Sequence, residues 1–355
     1  MSLMSKTSSD KIKVLIVDDS ALIRAILTEI INQADDMHVI GVARDPIIAR
    51  EKIRELQPDV ITLDIEMPNM DGLEFLEKLM RLHPLPVLMV STLTEKGSTA
   101  ALRALELGAI DFIAKPKVDI KNQLEAYAEE ITSKIRMIAK AKLRPKQPAH
   151  KPSKKIKALK SNKRATTQKI LVIGASTGGT EAIKEVLMEL PADCPPILIV
   201  QHMPPGFTKS YAARLNSLSQ IVVSEAKHGE HILPGHAYLA PGDYHLSIGR
   251  VSNYYICNIS QDPPVNRHRP AVDVLFDSVA ALAKGNAVGM ILTGMGKDGA
   301  AGMKRMHDKG CKNLAQDEAS CVVFGMPKEA IAQGGVDEIV PLDKMAERAL
   351  DFLDM

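Results

Sequence analysis

Residues 169–183 read KILVIGASTGGTEAI, and the predicted fold of the second half of the chain follows from them. Its apolar, β-branched run, residues 170–173, is typical of a strand buried on both faces, and the segment after the glycines has helical spacing. Between the two, Gly174, Ser176 and Gly178 form a G-x-S-x-G turn, in which glycines permit a sharp reversal that exposes a serine hydroxyl. Backbone N–H groups at the start of the helix favour an oxyanion there. By itself the motif leaves a second interpretation open, a glycine-rich turn that binds a dinucleotide phosphate.

Two more polar residues follow apolar runs in the same half of the chain. PPILIVQH ends at His202, and AVGMILTG leads through a glycine-rich segment to Asp298. Because the carboxyl ends of parallel strands converge on one crevice, we expect both side chains to lie near Ser176. An imidazole can take the proton of a serine, and a carboxylate can orient the imidazole. The simpler alternatives are a phosphate-binding serine, a histidine satisfied at a strand end, and an aspartate that caps the helix beginning near Gly299.

Three other histidines occur close together, in a polar stretch that contains glycine: His228, His231 and His236. No carboxylate or cysteine stands at a regular ligand spacing beside them. The stretch therefore predicts an exposed loop rather than a metal site.

The first half of the chain alternates apolar runs with segments of helical spacing between Lys11 and Lys134. The runs are KVLIV, MHVIGVA, DVITL, PVLMV and IDFIA. Five units of this kind predict a doubly wound parallel sheet with right-handed crossovers.

Polar residues stand at the carboxyl ends of these predicted strands: Asp18 and Asp19, then Asp64, then Ser91, then Lys115. Several carboxylates at one sheet edge repel one another unless they share a cation, and oxygen ligands suit Mg²⁺. A lysine beside them can hold a phosphoryl group. For Asp19 the alternative is the N-cap of the helix that follows.

Length and charge divide the chain. With 355 residues it exceeds the usual size of one hydrophobic core, so two domains are expected. The net charge is +2, but residues 131–169 contain fourteen Lys and Arg and no acid. We predict a domain at 10–133, a basic flexible linker at 134–167 and a second domain at 168–355. Nucleic-acid binding by the linker is not expected, because no aromatic residue is interleaved for base stacking and both flanking domains are acidic.

Localisation follows from the remaining composition. No apolar run is long enough to cross a membrane, and the first residues are polar rather than signal-like. The four cysteines lack C-x-x-C spacing, which favours free thiols in a reducing compartment. We therefore expect a cytoplasmic protein without membrane insertion.

The motifs VDDS, LDIEMPNMDG, VST and AKP occur in the order typical of response-regulator receiver domains, which the first half of the chain resembles. The resemblance implies a flavodoxin-like fold in which Asp64 accepts phosphate from a histidine kinase. It implies that Asp18, Asp19, Asp64 and the Glu66 carbonyl hold Mg²⁺. It also implies that Ser91 and Lys115 contact the phosphoryl group, and that Phe112 is the aromatic residue whose rotamer reports the switch. Many receivers have threonine where this chain has Ser91, but a hydroxyl is retained.

Residues 168–355 resemble the chemotaxis receptor methylesterases, the protein-glutamate methylesterase family. The motifs are GASTGGTEAI, QHMPPGFT, PGHAYLAPGDYHL, NRHRPAVDVLFDS, LTGMGKDGAAGM and QDEASCVVFGMPKEAI. The resemblance implies a Rossmann-like α/β domain with Ser176 as nucleophile, His202 as general base and acid, and Asp298 as the orienting carboxylate. It also implies that the Met295 backbone N–H donates to the oxyanion and that the ester reaction needs no cofactor.

The two resemblances together predict a phosphorylation-activated esterase that acts in chemotactic adaptation. It would remove methyl groups from receptor glutamates and deamidate certain receptor glutamines. The implied partners are a chemotaxis histidine kinase and the methylated cytoplasmic domains of chemoreceptors. We also expect the unphosphorylated receiver to cover the Ser176 crevice.

Two alternatives belong to other classes of protein. A non-enzymatic response regulator with a dinucleotide-binding output domain is disfavoured, because Ser176 stands where G-x-G-x-x-G needs its second glycine. A DNA-binding output domain is disfavoured by the 21 acids and 16 bases of residues 170–355.

Overall fold

The computed structural model describes residues 11–67, 71–92, 94–115, 121–141, 169–283 and 285–354. The chain divides into two compact units, residues 1–146 and 147–355, and each is described by itself. The division falls in the predicted linker, of which residues 142–167 lie outside the described residues. Within the described ranges, no helix has both the length and the apolar character needed to cross a membrane.

The first unit is a five-stranded parallel sheet with the strand order β2-β1-β3-β4-β5. Its strands are β1 (Ile12–Val17), β2 (Met37–Ala43), β3 (Val60–Asp64), β4 (Val87–Ser91) and β5 (Asp111–Ala114). Its helices are α1 (Ala21–Gln33), α2 (Pro46–Leu56), α3 (Gly72–Leu82), α4 (Glu95–Leu107) and α5 (Lys121–Ile138). This is the flavodoxin-like order, whose switch point lies between β1 and β3. The predicted fold class is confirmed for this unit.

Helix α5 continues past the predicted domain boundary at residue 133 and ends at Ile138. Its apolar residues Ile131, Ile135 and Ile138 are fully buried, at the i, i+4, i+7 spacing of one helix face. The basic residues between them are paired: the Lys134 ammonium lies 2.7 Å from an oxygen of Asp111, and Arg136 makes an ion pair with Asp36. The first residues of the basic segment therefore belong to the folded domain.

The second unit contains a seven-stranded sheet, in which all neighbours are parallel, and a separate antiparallel hairpin. The sheet order is β14-β13-β12-β6-β7-β9-β8, and the hairpin is β10-β11. The strands are β6 (Ile170–Ala175), β7 (Ile197–Gln201), β8 (Val222–Glu225), β9 (His236–Leu239), β10 (His245–Val251), β11 (Tyr254–Ser260), β12 (Ala287–Ile291), β13 (Lys312–Gln316) and β14 (Glu338–Val340). The helices are α6 (Gly179–Glu189), α7 (Phe207–Leu218), α8 (Val272–Leu282), α9 (Ala300–Asp308), α10 (Met326–Ala332) and α11 (Met345–Asp354).

The connections of this sheet place a crevice at its centre. From β6 the chain moves to β7 and outward, and it later returns to β12 on the other side of β6. Strand order therefore reverses at β6, and ligands of open α/β sheets bind at such a point, outside the carboxyl ends of the strands. The predicted second doubly wound sheet is confirmed. The β10-β11 hairpin was not predicted; it packs on α8, where the Ile248 N–H donates to Ser278 Oγ at 3.0 Å.

Helix α8 lies unusually close to strand β6, because the strand has a glycine at the contact. A Cβ atom on Gly174 would lie 2.3 Å from Cγ1 of Val272, the first residue of α8. No real side chain fits that space. Gly174 thus allows the amino terminus of α8 to reach the carboxyl edge of the sheet.

Candidate active site and receiver site

Ser176 lies directly after β6, in the sharp turn that leads into α6. Its N–H donates to the Thr293 carbonyl at 3.1 Å, and its own carbonyl accepts the Gly179 N–H at 2.8 Å. Gly178 has φ +76°, a conformation that favours glycine, and a Cβ there would lie 2.7 Å from Cβ of Val322. The strand-turn-helix context that the G-x-S-x-G motif predicts is therefore present.

His202 and Asp298 come from the strands on either side of β6. His202 follows β7 and Asp298 lies in the loop after β12, and both strands pair with β6. The His202 Nε2 atom is 2.8 Å from Asp298 Oδ2. The His202 side chain is 8% exposed and that of Asp298 is 1% exposed. The structure therefore brings the two predicted residues into direct contact in a site largely closed to water.

A glutamine that sequence reasoning missed joins the serine turn to the histidine. The Gln201 Nε2 group donates to the Ser176 carbonyl at 2.8 Å and to the His202 carbonyl at 3.2 Å. Gln201 is buried. A polar residue at the last position of an apolar strand, next to His202, was the available signal. Its amide fixes the backbones of the two residues relative to each other.

Four donors surround the Asp298 carboxylate. Oδ2 accepts from His202 and from the Val272 N–H at 2.6 Å, and Oδ1 accepts from Asn266 at 2.8 Å and from the Asp273 N–H at 3.1 Å. The two backbone donors form the amino terminus of α8, where the helix dipole favours negative charge. Burial raises the pKa of Asp298, but the bonds from His202, Asn266 and the helix outweigh it, so the pKa lies below its usual value.

Asp298 is thus a helix cap, but not of the helix that the sequence suggested. The helix near it, α9, begins at Ala300, and its cap position Gly299 has no side-chain bond. The carboxylate instead caps α8, which begins 26 positions earlier in the chain. Sequence separation hides this pairing.

The ionised Asp298 fixes the tautomer of the imidazole. A carboxylate can only accept, so the proton lies on Nε2 of His202 and the lone pair lies on Nδ1. The Nδ1 atom is buried and has no hydrogen-bond partner among the described residues. The nitrogen available to take a proton from serine is therefore Nδ1.

Met295 is 40% exposed, in the loop between β12 and α9. The residue before it, Gly294, lies against the serine turn: a Cβ there would be 2.7 Å from Ser176 Cβ and 2.4 Å from Met326 Sδ. The structure therefore places Gly294, the residue before Met295, beside Ser176. The role of the Met295 backbone N–H as oxyanion donor stays a prediction.

Two further residues that sequence reasoning missed lie in the segment NRHRP. The His268 ring stacks on the His202 ring, with centroids 3.7 Å apart and planes 11° apart. The Asn266 amide donates both to Asp298 and to Asp273 Oδ2, the latter at 2.7 Å. No sequence pattern indicates these contacts, since they depend on a local backbone turn.

The predicted acidic cluster of the first unit is assembled. Carboxylate oxygens of Asp18, Asp19 and Asp64 lie within 4.8 Å of one another, and Asp18 and Asp64 are each 1% exposed. The Asp19 carboxylate is not used as a helix cap, because Ser20 Oγ accepts the Ile23 N–H instead.

Lys115 is the counter-charge of this cluster. Its Nζ atom donates to Asp64 Oδ2 at 2.8 Å and lies 3.1 Å from Asp18 Oδ2. Burial raises the pKa of Asp64 to about 6, Lys115 opposes the rise and Asp18 adds to it. Burial also raises the pKa of Asp18. The single ammonium group of Lys115 does not balance the negative charge of the carboxylates. Oxygen donors at this spacing fit Mg²⁺.

The other predicted receiver residues lie around the cluster or on the neighbouring strands. Ser91 ends β4, is buried and donates from Oγ to the Gly97 carbonyl at 3.3 Å. Phe112 is buried in β5. The Glu66 side chain is exposed, and its N–H donates to Asp64 Oδ1 at 3.3 Å. The roles assigned to these residues, and to the Glu66 carbonyl, stay predictions.

The three clustered histidines have separate surroundings. His228 Nδ1 accepts the Ile259 N–H, His231 meets the edge of Tyr254, and His236 Nδ1 lies 2.9 Å from the Pro234 carbonyl. Over the part of the chain that the structure describes, metal-ligand spacing occurs for Asp18, Asp19 and Asp64. The histidines are not among them.

Fold and site together define a two-unit α/β protein. One unit has three clustered carboxylates with a lysine among them, and the other has a serine turn beside a buried His-Asp pair. The chain belongs to the CheB methylesterase family, whose model matches residues 171–349, and it also matches the response regulator receiver domain over residues 14–127.

Curated relatives cover nearly the whole chain. A Nitrosomonas europaea protein named protein-glutamate methylesterase/protein-glutamine glutaminase is 64% identical over 343 residues, with 96% of each chain covered. A protein of Geobacter metallireducens, named protein-glutamate methylesterase/protein-glutamine glutaminase 1, is 59% identical over 355 residues, which cover 98% of this chain and 97% of that one. The chain is also similar to the solved catalytic domain of Thermotoga maritima CheB methylesterase. That similarity has a TM-score of 0.51 and 43% identity, and covers 52% of this chain and 97% of that one.

Proposed function

We propose that this chain is a phosphorylation-activated carboxylic ester hydrolase of chemotactic adaptation. It demethylates glutamate methyl esters on the cytoplasmic domains of bacterial chemoreceptors and deamidates specific receptor glutamines. The observation that supports this most directly is the buried His202-Asp298 pair beside the Ser176 turn. The relatives' names supply the substrate class.

The first half of the reaction forms an acyl-enzyme. Ser176 Oγ attacks the ester carbonyl while His202 Nδ1 takes the hydroxyl proton. The Met295 N–H and the amino terminus of α6 stabilise the oxyanion of the tetrahedral intermediate. The intermediate then collapses: the bond to the methoxy oxygen breaks, and the imidazolium gives its proton to that oxygen, so methanol leaves.

The second half returns the enzyme to its starting state. His202 Nδ1 takes a proton from water, the hydroxide attacks the acyl carbon, and the Ser176 oxygen leaves with the proton from the imidazolium. The product is a glutamic acid side chain, which then loses its proton to water and becomes a carboxylate. Asp298 stays ionised throughout and stabilises the imidazolium. Deamidation follows the same steps with ammonia as the leaving group.

In the receiver unit, we propose that Asp64 attacks the phosphoryl group of a histidine kinase. Asp18, Asp19, Asp64 and the Glu66 carbonyl would hold Mg²⁺, which supplies positive charge beside the phosphoryl oxygens when it is bound. Lys115, now paired with Asp64 and Asp18, would turn to a phosphoryl oxygen, and Ser91 would donate to another. Phe112 is the candidate aromatic that changes rotamer.

Activation is the proposed output of that phosphorylation. The receptor domains and the kinase are cytoplasmic partners in this account, so the protein acts in the cytoplasm. The dinucleotide-binding alternative is not favoured, since the second unit matches a methylesterase family.

The proposal is tested with membranes that contain methylated chemoreceptors. Wild-type protein should release methanol, and ammonia from receptors that carry unprocessed glutamines. His202→Ala should release neither. The matched control His236→Ala alters a histidine at the amino-terminal end of β9, whereas His202 follows the carboxyl end of β7. This variant should keep both activities. A wild-type protein that releases neither product under phosphodonor would contradict the proposal.

A further inference from the structure

Residues 265–268 form a tight two-residue turn, hereafter the 265–268 turn. The Val265 N–H donates to the His268 carbonyl at 3.1 Å, and the His268 N–H donates to the Val265 carbonyl at 2.9 Å. The two central residues, Asn266 and Arg267, have φ of +52° and +70°. Two consecutive positive φ values are the geometry of a type I′ turn. Asparagine tolerates it, but arginine does so at a cost of roughly 1 kcal/mol or more, so contacts outside the turn must hold it.

Those contacts are made to the candidate active site. The Asn266 Nδ2 group sends one N–H to Asp298 Oδ1 and the other to Asp273 Oδ2. The two carboxylates repel each other across this amide, and burial and the Asp298 charge both raise the pKa of Asp273. One amide that donates to both lets them remain ionised side by side. Asp298 is also faced by His202 and by the two backbone N–H groups of α8. Asp273 is also faced by the Gly302 N–H, by the Arg305 guanidinium at 3.9 Å, and by the Asp277 carboxylate, which adds to the rise in its pKa.

The second contact fixes the plane of the general base. Asp298 restrains one edge of the His202 ring, at Nε2, but a single hydrogen bond leaves the ring free to rock about that bond. His268 covers one flat face at van der Waals distance, with centroids 3.7 Å apart. Rocking toward that face is blocked. The direction of Nδ1, which has to meet the serine hydroxyl, is therefore set by the turn as well as by Asp298.

We propose that the 265–268 turn is a positioning element of the ester hydrolysis. His268 holds the plane of the His202 ring, and Asn266 holds the Asp298 carboxylate in the position from which it accepts the His202 N–H. Neither residue exchanges a proton with substrate. This inference rests on the proposed function.

The test of His268 separates stacking from general stability. Steady-state methanol release from methylated receptor membranes is measured for wild type, His268→Ala, His268→Phe and the control His236→Ala, whose ring also stacks on an aromatic residue, Tyr238. Urea unfolding confirms that each variant is folded. His268→Ala should lower kcat by about tenfold to a hundredfold, the scale of a displaced catalytic group. KM should change less than about twofold if only positioning is lost. His268→Phe keeps a flat ring and should recover most of the rate.

The test of Asn266 uses a substitution that keeps the turn. Asn266→Gly retains the left-handed backbone but deletes the amide, and Ser252→Gly is the control at another non-glycine residue with positive φ, +54°, in the β10-β11 hairpin. Loss of the donor leaves Asp298 Oδ1 held only by the Asp273 N–H, so the carboxylate that orients the imidazole is less firmly placed. kcat should therefore fall by about tenfold, whereas KM should change less than about twofold. Ser252→Gly should change neither parameter.

The outcomes separate the two levels of the account. If the wild type is active and His268→Ala has the same kcat, the positioning role of His268 is overturned. It is also overturned if His268→Phe has no higher kcat than His268→Ala. A kcat for Asn266→Gly that equals that of Ser252→Gly overturns the role of Asn266. A wild type that releases no methanol overturns the proposed function instead.

Discussion

The Asp298→Asn variant tests the hydrogen bonding of the carboxylate most severely. Both oxygens of Asp298 accept two bonds each, so an amide nitrogen in either place faces donors. If the new NH₂ group takes the place of Oδ2, His202 can accept from it only by moving its own proton to Nδ1. The Val272 N–H then loses its acceptor. If it takes the place of Oδ1, it opposes the Asn266 amide and the Asp273 N–H.

The magnitudes follow from this geometry. One buried N–H without a partner costs about 1–3 kcal/mol of folding stability, and two such groups cost about twice that. An imidazole with its proton on Nδ1 cannot take the serine proton, and the wrong tautomer costs a triad enzyme about 10⁴-fold in kcat. We therefore expect a folded protein, destabilised by about 1–3 kcal/mol in the cheaper orientation, that has lost nearly all activity.

The assay combines methanol release from methylated receptor membranes with urea unfolding. Asp262→Asn is the control, since Asp262 is an exposed carboxylate that accepts from Ser260 Oγ. It should be neutral in both measurements. An Asp298→Asn variant that keeps more than about a tenth of the wild-type kcat would refute the tautomer argument.

Three other expectations concern the rest of the molecule. Asp64→Asn should take up no phosphate from acetyl phosphate and Mg²⁺, since an amide is no phosphoacceptor, and phosphodonor should stimulate esterase activity only in wild type; equal mass shifts in the two proteins would contradict this. The urea midpoint of unfolding should be lower for Gly178→Ala than for Gly206→Ala, because both glycines have positive φ but only at Gly178 does an added Cβ meet another side chain. Equal midpoints for the two variants would contradict the steric argument. The buried cysteines should resist Ellman's reagent at pH 8 until the protein is unfolded. Burial raises the pKa of Cys194 to about 12 and also raises the pKa of Cys257 and Cys311, and a fast-reacting thiol in the native protein would contradict this burial.

The sheets and their edges were predictable because the signals are local. Runs such as residues 170–173 are typical of strands buried on both faces, and glycines after a strand predict the turn at Ser176. Once strands are parallel, the residues that follow them must share one edge. Asp18, Asp64 and Lys115 meet for that reason, and His202 meets Asp298 for the same reason.

The surroundings of the site were not predictable, because they depend on tertiary contacts. Nothing near Asp298 in sequence indicates that it caps α8. The stacking of His268 requires a turn with two positive φ values at non-glycine residues, which local propensity disfavours. The boundary at residue 133 was set by charge, whereas the continuation of α5 is set by buried isoleucines and by carboxylate partners for Lys134 and Arg136.

The central claim is that Ser176 is the nucleophile that the buried His202-Asp298 pair activates. The most direct measurement is methanol release from methylated receptor membranes, with phosphodonor present, by wild type, Ser176→Ala and the control Ser320→Ala, which removes a serine hydroxyl bonded to Gln316 and Asp317. The account predicts that Ser176→Ala is folded and loses at least about 10³-fold in kcat, whereas Ser320→Ala stays active. Methanol release at the wild-type rate by folded Ser176→Ala would contradict the account.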